Sequence, residues 1–341
     1  MSELTVAAVQ MDARVGALEA NLVHAERLVE KAAGQGAQLV VLPELFSTGY
    51  EYTDRNFGLA EPLEGRTGTW IADTARRLGV HLLGTFPARV EGKDYITALL
   101  ASPKGRRWVY RKMHVAFWEN CYFERGSEPV IADTDLGRIG LLICWDEVYA
   151  DLARAYRGAV DLLCIPSSPP TLVGQLEDDA GRVAAPFEPR FAGRPIDAVG
   201  WFGEAQRRLA SGAGVPVVYA ARCGEFLSPM PYGAFFAATV GARNALRTLL
   251  TAGWGFRVRC PLMGRSTIYD AQGEPLAAAG QDGEALLVAD VRTGVPAVDA
   301  LPLAPQGRTL VPGVPPALLF ADDAMIRLGA RYRRRRKANT F

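Results

Sequence analysis

Histidine and paired cysteine are scarce in this 341-residue chain. The three histidines (His24, His81 and His114) lie far apart in sequence, and the five cysteines (Cys121, Cys144, Cys164, Cys223 and Cys260) contain no CxxC pair. That spacing excludes a histidine-rich metal site, a zinc ribbon and a disulfide scaffold, and no metal or organic cofactor is expected. An odd number of scattered thiols fits a reduced, cytoplasmic protein. Net charge is also lacking: at +1 there is no global field to attract nucleic acid or a membrane surface. The opening segment, with Glu3 and Asp12, has no basic head followed by an apolar run, so a secretory signal is not expected. No uncharged apolar stretch reaches the about 18 residues of a membrane span; the nearest, Ala234 to Phe256, is broken by Arg243, Asn244 and Arg247. What is present is ordinary globular material, 49% hydrophobic and 22% charged, able to bury a full core.

Apolar runs of strand character alternate with amphipathic stretches through most of the chain. Strands are predicted at Leu4–Gln10, Gln38–Leu42, Val80–Phe86, Ile96–Ala101, Arg107–Tyr110, Arg138–Cys144, Val160–Pro166 and Val215–Ala221. Helices are predicted at Leu18–Ala33, Gly68–Leu78, Tyr149–Arg157 and Ala198–Ala210. A strand–turn–strand series around Gly273 closes the pattern, spanning Ser266–Asp270, Ala277–Ala279 and Ala285–Asp290. This alternation predicts one layered α/β domain over residues 1–290. Residues 291–341 read differently. Val291–Pro316 is rich in proline and glycine and reads as an extended arm, and Arg331–Lys337 reads as a solvated basic tail.

Three segments share one design, in which an apolar strand ends and a reactive side chain follows. Pro43 stops the run Leu39–Leu42 and Glu44 follows it; Lys112 follows Trp108–Arg111; Cys144 follows Ile139–Ile143. Strand ends in α/β folds are where sites gather. A thiol at such a strand-to-helix turn is expected to be exposed and near positive backbone dipoles, which would lower its pKa. A carboxylate as base and an ammonium to receive oxyanion charge would complete the parts of amide hydrolysis. Each residue also has a bland use: Glu44 as a capping acid, Lys112 as a surface lysine, Cys144 as core. Cys164, flanked by apolar residues, reads as inert packing.

The segments LPELFSTGY (42–50), YRKMH (110–114) and GLLICWDE (140–147), in that order, resemble the nitrilase superfamily of carbon–nitrogen hydrolases. AAVQMD (7–12), DLLCIPSS (161–168), GVPVVYAARCG (214–224) and GRSTIYDAQGEPLA (264–277) extend the resemblance over most of the chain. It implies a four-layer α-β-β-α sandwich, commonly a homodimer or higher homo-oligomer, and a catalytic glutamate, lysine and cysteine at Glu44, Lys112 and Cys144. The stretch at 119–126 resembles that of carbamoylase-type and related amidase branches and implies a second glutamate at Glu119, orienting Lys112; Glu124 and Glu128 are alternatives. Asp146 would stabilise the nucleophile turn, His114 would hydrogen-bond near Glu119, and the Trp145 backbone N–H would face the oxyanion.

The implied reaction hydrolyses a small amide or N-carbamoyl compound through a cysteine thioester. Nitrile hydrolysis and acyl transfer are alternatives within the family, and a non-catalytic binding scaffold is the alternative outside it. Carbamoyl-D-amino-acid hydrolases carry arginines after the cysteine motif to grip a carboxylate. Here Glu147, Val148 and Tyr149 stand there, which argues against such a clamp, and Glu147 is expected to face solvent. Two stretches exceed the family spacing: a Pro-rich loop over about 168–195 and an aromatic segment over about 225–263, including Phe235, Phe236, Trp254 and Phe256. Each reads equally as a wall or lid over the site and as a subunit interface.

Overall fold

The structure is a computed structural model that describes residues 2–252, 255–294 and 308–340, with side chains to residue 336. Two six-stranded sheets form its centre. One runs Ala285–Thr293, Ser2–Gln10, Leu39–Val41, His81–Val90, Lys93–Ala101, Arg107–Arg111; Leu39–Val41 is parallel to both neighbours and the other pairs are antiparallel. The second runs Pro275–Ala278, Thr267–Tyr269, Val217–Ala221, Leu162–Ser167, Gly137–Leu141, Ile131–Thr134, with Leu162–Ser167 parallel to both neighbours.

The period-two alternation of each strand sorts its side chains into layers. Val6, Ala8, Leu39 and Val41 point between the sheets, where they meet Leu141, Leu162, Cys164 and Val218. The intervening Ala7, Val9, Val40 and Leu42 point outward onto Leu22, Ala25, Val29, Trp70 and Ile71 of the helices Leu18–Gly34 and Arg66–Leu78. On the far side Leu163, Ile165 and Val217 pack with Leu152, Tyr156, Leu209 and Ala210 of the helices Ala150–Tyr156 and Ala198–Ala213. The result is the four-layer α-β-β-α sandwich. Gly79 and Gly214, at φ 69° and 68°, end two of these helices in the left-handed conformation that glycine adopts without strain.

The stretch read as a Pro-rich loop contains strands. Gly174–Glu177 and Val183–Phe187 join Arg257–Pro261 and Glu225–Pro229 of the second long stretch in a four-stranded antiparallel sheet. Each insertion forms its own antiparallel pair, and Gly174–Glu177 joins Arg257–Pro261 to make one sheet of the two. Phe236, on the helix Gly233–Thr239, is fully buried against Phe117 and Trp118. Trp254 lies outside the described residues.

The basic tail is also corrected. Residues Pro316–Thr340 form a helix that packs on the 3-10 turn Phe117–Cys121, burying Leu318, Ala321, Asp322 and Met325. Gly329 lies so close that a Cβ there would sit 2.2 Å from Asn120 O. Arg333 is buried and donates to Phe123 O (2.8 Å), Asn120 O and Glu124 Oε2 (2.8 Å). Arg331, Arg334 and Arg335 are exposed, as a solvated face would be. The apolar positions 318, 321 and 325 recur at helical spacing, a stripe that the arginine run obscures. Of the arm, Val291–Thr293 completes a strand, Leu310 N donates to Val148 O, and residues 295–307 lie outside the described residues. Among the described residues no helix is long and apolar enough to cross a membrane.

Candidate active site

Glu44, Lys112 and Cys144 meet where their strands end. The Glu44 backbone N–H donates to Ser167 O of the facing sheet (3.2 Å), and Lys112 N donates to Ile96 O (2.9 Å). Leu45, Phe117 and Cys144 hold φ of 52°, 38° and 51°, a region that costs a non-glycine residue on the order of 1–3 kcal/mol. Leu45 follows Glu44, Cys144 is the candidate nucleophile and Phe117 lies two residues before Glu119; Glu91, Leu172, Ala192, Tyr232 and Arg265 elsewhere also hold positive φ.

Lys112 Nζ lies 2.7 Å from Glu44 Oε1 and 2.8 Å from Glu119 Oε2, and all three side chains are fully buried. Glu119 also accepts from Ala116 N (2.7 Å) and the Tyr50 hydroxyl (2.5 Å), and Tyr50 is bonded to the Tyr52 hydroxyl at 2.7 Å. Glu119 is thus the second glutamate brought to the lysine. Glu124 turns to Arg333 and Glu128 is exposed. Tyr50 and Tyr52 were not singled out from sequence, although Tyr50 closes the 42–50 motif.

Burial raises the Glu44 pKa to about 7, with Lys112 pulling it down and Glu119 pushing it up. Burial works against the Lys112 ammonium, but Glu119 and Glu44 outweigh it and hold its pKa well above the usual lysine range. The expectation for the thiol is overturned. Cys144 is 4% exposed, and burial together with the Glu44 carboxylate raises its pKa well above that of a free thiol. The turn after it is a 3-10 helix, Cys144–Val148, too short to offset that desolvation. A protonated resting thiol needs a base, and Glu44 beside it is poised to be one; its Oε2 makes no other hydrogen bond.

Asp146 stabilises the turn, accepting from Ile143 N (2.9 Å), His114 N (2.7 Å) and the Tyr110 hydroxyl (2.7 Å). The His114 ring does not turn to Glu119. It meets Asp151 through Nε2 at 3.0 Å and Arg125 through Nδ1 at 3.1 Å, and stacks on Tyr149 at 3.8 Å. Only its main-chain N–H reaches the turn that carries Cys144, through Asp146. Glu147 does not face solvent: it is fully buried, accepts from Gln206 Nε2 (3.1 Å), and burial raises its pKa well above the usual range. A charged carboxylate there has no cation paired with it among the described residues, so burial favours the neutral form.

Asp322 was missed entirely. From the C-terminal helix it accepts from Phe117 N (2.9 Å), the Trp145 indole (3.1 Å) and the Tyr149 hydroxyl (2.6 Å). No local pattern marks it, because its partners lie far back along the chain. Cys144 opens on a small cavity of about 40 Å³, walled by residues that include Tyr50, Trp118, Pro170, Leu172 and Leu318. Pro170 and Leu172 come from the first long stretch and Leu318 from the C-terminal helix, so both segments contribute to the wall.

The chain is 36% identical over 169 residues to a nitrilase of Pyrococcus abyssi, covering 48% of this chain and 64% of that protein. It is 32% identical over 167 residues to a chloroplastic omega-amidase of Arabidopsis thaliana, covering 43% of this chain and 44% of that protein. The chain thus spans less than two thirds of the length of these two relatives. Among solved structures, a carbon-nitrogen hydrolase from Helicobacter pylori G27 superposes with a TM-score of 0.64 at 23% identity, covering 85% of this chain and 89% of that one. A glutamate-to-glutamine mutant of the amidase from Nesterenkonia sp. AN1, carrying acrylamide added to its active-site cysteine, superposes at 0.61 and 22% identity, covering 86% and 94%. At those identities the structures establish a shared fold. The sequence pattern of the carbon-nitrogen hydrolase family matches residues 5–295, most of the molecule, and the chain belongs to that family.

Proposed function

We infer that this protein hydrolyses the carbon–nitrogen bond of a small amide through a thioester on Cys144. One observation carries the reading: a buried ammonium, Lys112, held between Glu44 and Glu119 at 2.7 and 2.8 Å, with the thiol of Cys144 beside Glu44. Glu44 takes the thiol proton as the sulfur attacks the carbonyl carbon. The charge that builds on oxygen is received by the Lys112 ammonium and the Trp145 backbone N–H; one such donor is worth about 3 kcal/mol of barrier. The departing amine takes the proton from Glu44. Glu44 then removes a proton from water, which attacks the thioester carbon; the C–S bond breaks and the acid is released with the thiol restored. Glu119 holds Lys112 in place.

Ammonia release from a panel of amides, ureido acids and nitriles tests this reading. Amide hydrolysis that disappears in Cys144→Ala supports it, and activity retained in that variant rejects it. Preferred turnover of ureido acids would favour an N-carbamoyl substrate, in line with the resemblance at 119–126. Transfer to hydroxylamine in place of water would reveal an acyltransferase.

A further inference from the structure

The cavity in front of Cys144 has no charged wall. Among the described residues that line it there is no lysine, arginine, histidine, aspartate or glutamate. Three buried cations lie outside its wall: Lys112 is held by Glu44 and Glu119, Arg222 donates to Ala13 O and faces Asp12 while its Nε and Nη1 have no partner among the described residues, and Arg333 donates to Phe123 O. An arriving carboxylate would lose its water at a wall that offers no cation, the Lys112 ammonium being shared already by Glu44 and Glu119. An ammonium would also lose its water at a wall that carries no carboxylate.

Resting on the hydrolase reading above, we propose that the acyl half of the substrate is short, neutral and apolar: a small aliphatic carboxamide without carboxylate or ammonium. The cavity of about 40 Å³ sets the size, and the aromatic faces of Tyr50, Trp118 and Trp201 with Leu172 and Leu318 set the polarity.

Iodoacetamide and iodoacetate test the pocket without turnover, because they are nearly isosteric and differ in charge. Alkylation of Cys144 is followed by peptide mass spectrometry, each rate divided by that of free cysteine. The neutral reagent is expected to be faster by about tenfold or more after this correction, and Leu172→Arg to narrow the gap. In parallel, kcat/KM for butyramide is expected to exceed that for succinamate and 4-aminobutanamide by a similar factor. Equal or faster labelling by iodoacetate, labelling by neither reagent, or a charged amide as the best substrate would overturn the proposal. Selective labelling by iodoacetamide without hydrolysis of any amide would leave the neutral pocket standing and remove the hydrolase reading. Hydrolysis led by a charged amide would do the reverse.

Discussion

The indole N–H of Trp145, the residue after the candidate nucleophile, donates to Asp322 Oδ2 at 3.1 Å across 177 residues of chain. The same carboxylate takes the Tyr149 hydroxyl and the N–H of Phe117, the residue at φ 38° that opens the turn carrying Glu119. One side chain of the C-terminal helix therefore ties the cysteine turn to the glutamate turn. Asp322→Ala leaves three buried donors unpaired, at about 1–3 kcal/mol each if none finds water. A lowered Tm is the expected result. Asp322→Asn keeps an acceptor and most of the stability, yet presents an amide N–H₂ where a carboxylate oxygen accepted. Its kcat is expected to fall more than its KM rises, a split that steady-state kinetics reads.

Glu44 governs the pH profile. As a base with a pKa raised to about 7, it must be ionised to work, so kcat/KM is expected to rise with pH through about 7 and then level. Glu44→Gln removes that limb along with most of the activity. The sign for stability is opposite. Because the folded pKa lies above the ordinary glutamate value of 4.5, the folded chain holds this proton more tightly. The group's contribution to stability is fully present below about 4.5 and is lost as pH rises through about 7, which urea melts at several pH values would follow.

Lys112→Met leaves Glu44 and Glu119 facing each other without a cation. Breaking a buried ion pair from one side costs about 3–5 kcal/mol, and uptake of a proton by the carboxyl pair would recover part of it. Loss of Lys112 removes an influence that lowers the Glu44 pKa, so any residual activity is expected to require higher pH. Lys112→Arg is not a rescue, because the planar guanidinium cannot occupy the ammonium's place between two carboxylates at 2.7 and 2.8 Å.

Gly329→Ala tests the docking of the C-terminal helix. Alanine favours a helix by about 1 kcal/mol over glycine, but here its Cβ would lie 2.2 Å from Asn120 O. The helix must lift from the Phe117–Cys121 turn. Lower Tm and faster proteolysis of the C-terminal segment are expected, and an unchanged or raised Tm would show that the contact is not tight.

The layered α/β order was legible because strand alternation and helix spacing are local patterns. Glu44, Lys112 and Cys144 stood out for the same reason, each following an apolar run that stops. The pairing of Gly174–Glu177 with Arg257–Pro261 was not legible, since it joins short strands of two insertions far apart in the chain. The C-terminal helix was hidden for a different reason. Its buried stripe of Leu318, Ala321 and Met325 precedes an arginine run that dominates the composition, and only contact with the Phe117–Cys121 turn makes that stripe an interior face.

The sequence by itself determined the family, the sandwich and the order of the three strand-end residues, because each is written in short-range pattern. Tertiary structure decided the state of those groups. Enclosure of the thiol raised the Cys144 pKa where its turn alone predicted a lower one, and burial, opposed by Lys112 and aided by Glu119, brought Glu44 to about 7. Burial raised the Glu147 pKa, and Asp322 reached Trp145 only when its helix folded back. Desolvation and charge coupling depend on what surrounds a group in space, and sequence neighbours supply only a small part of that surrounding.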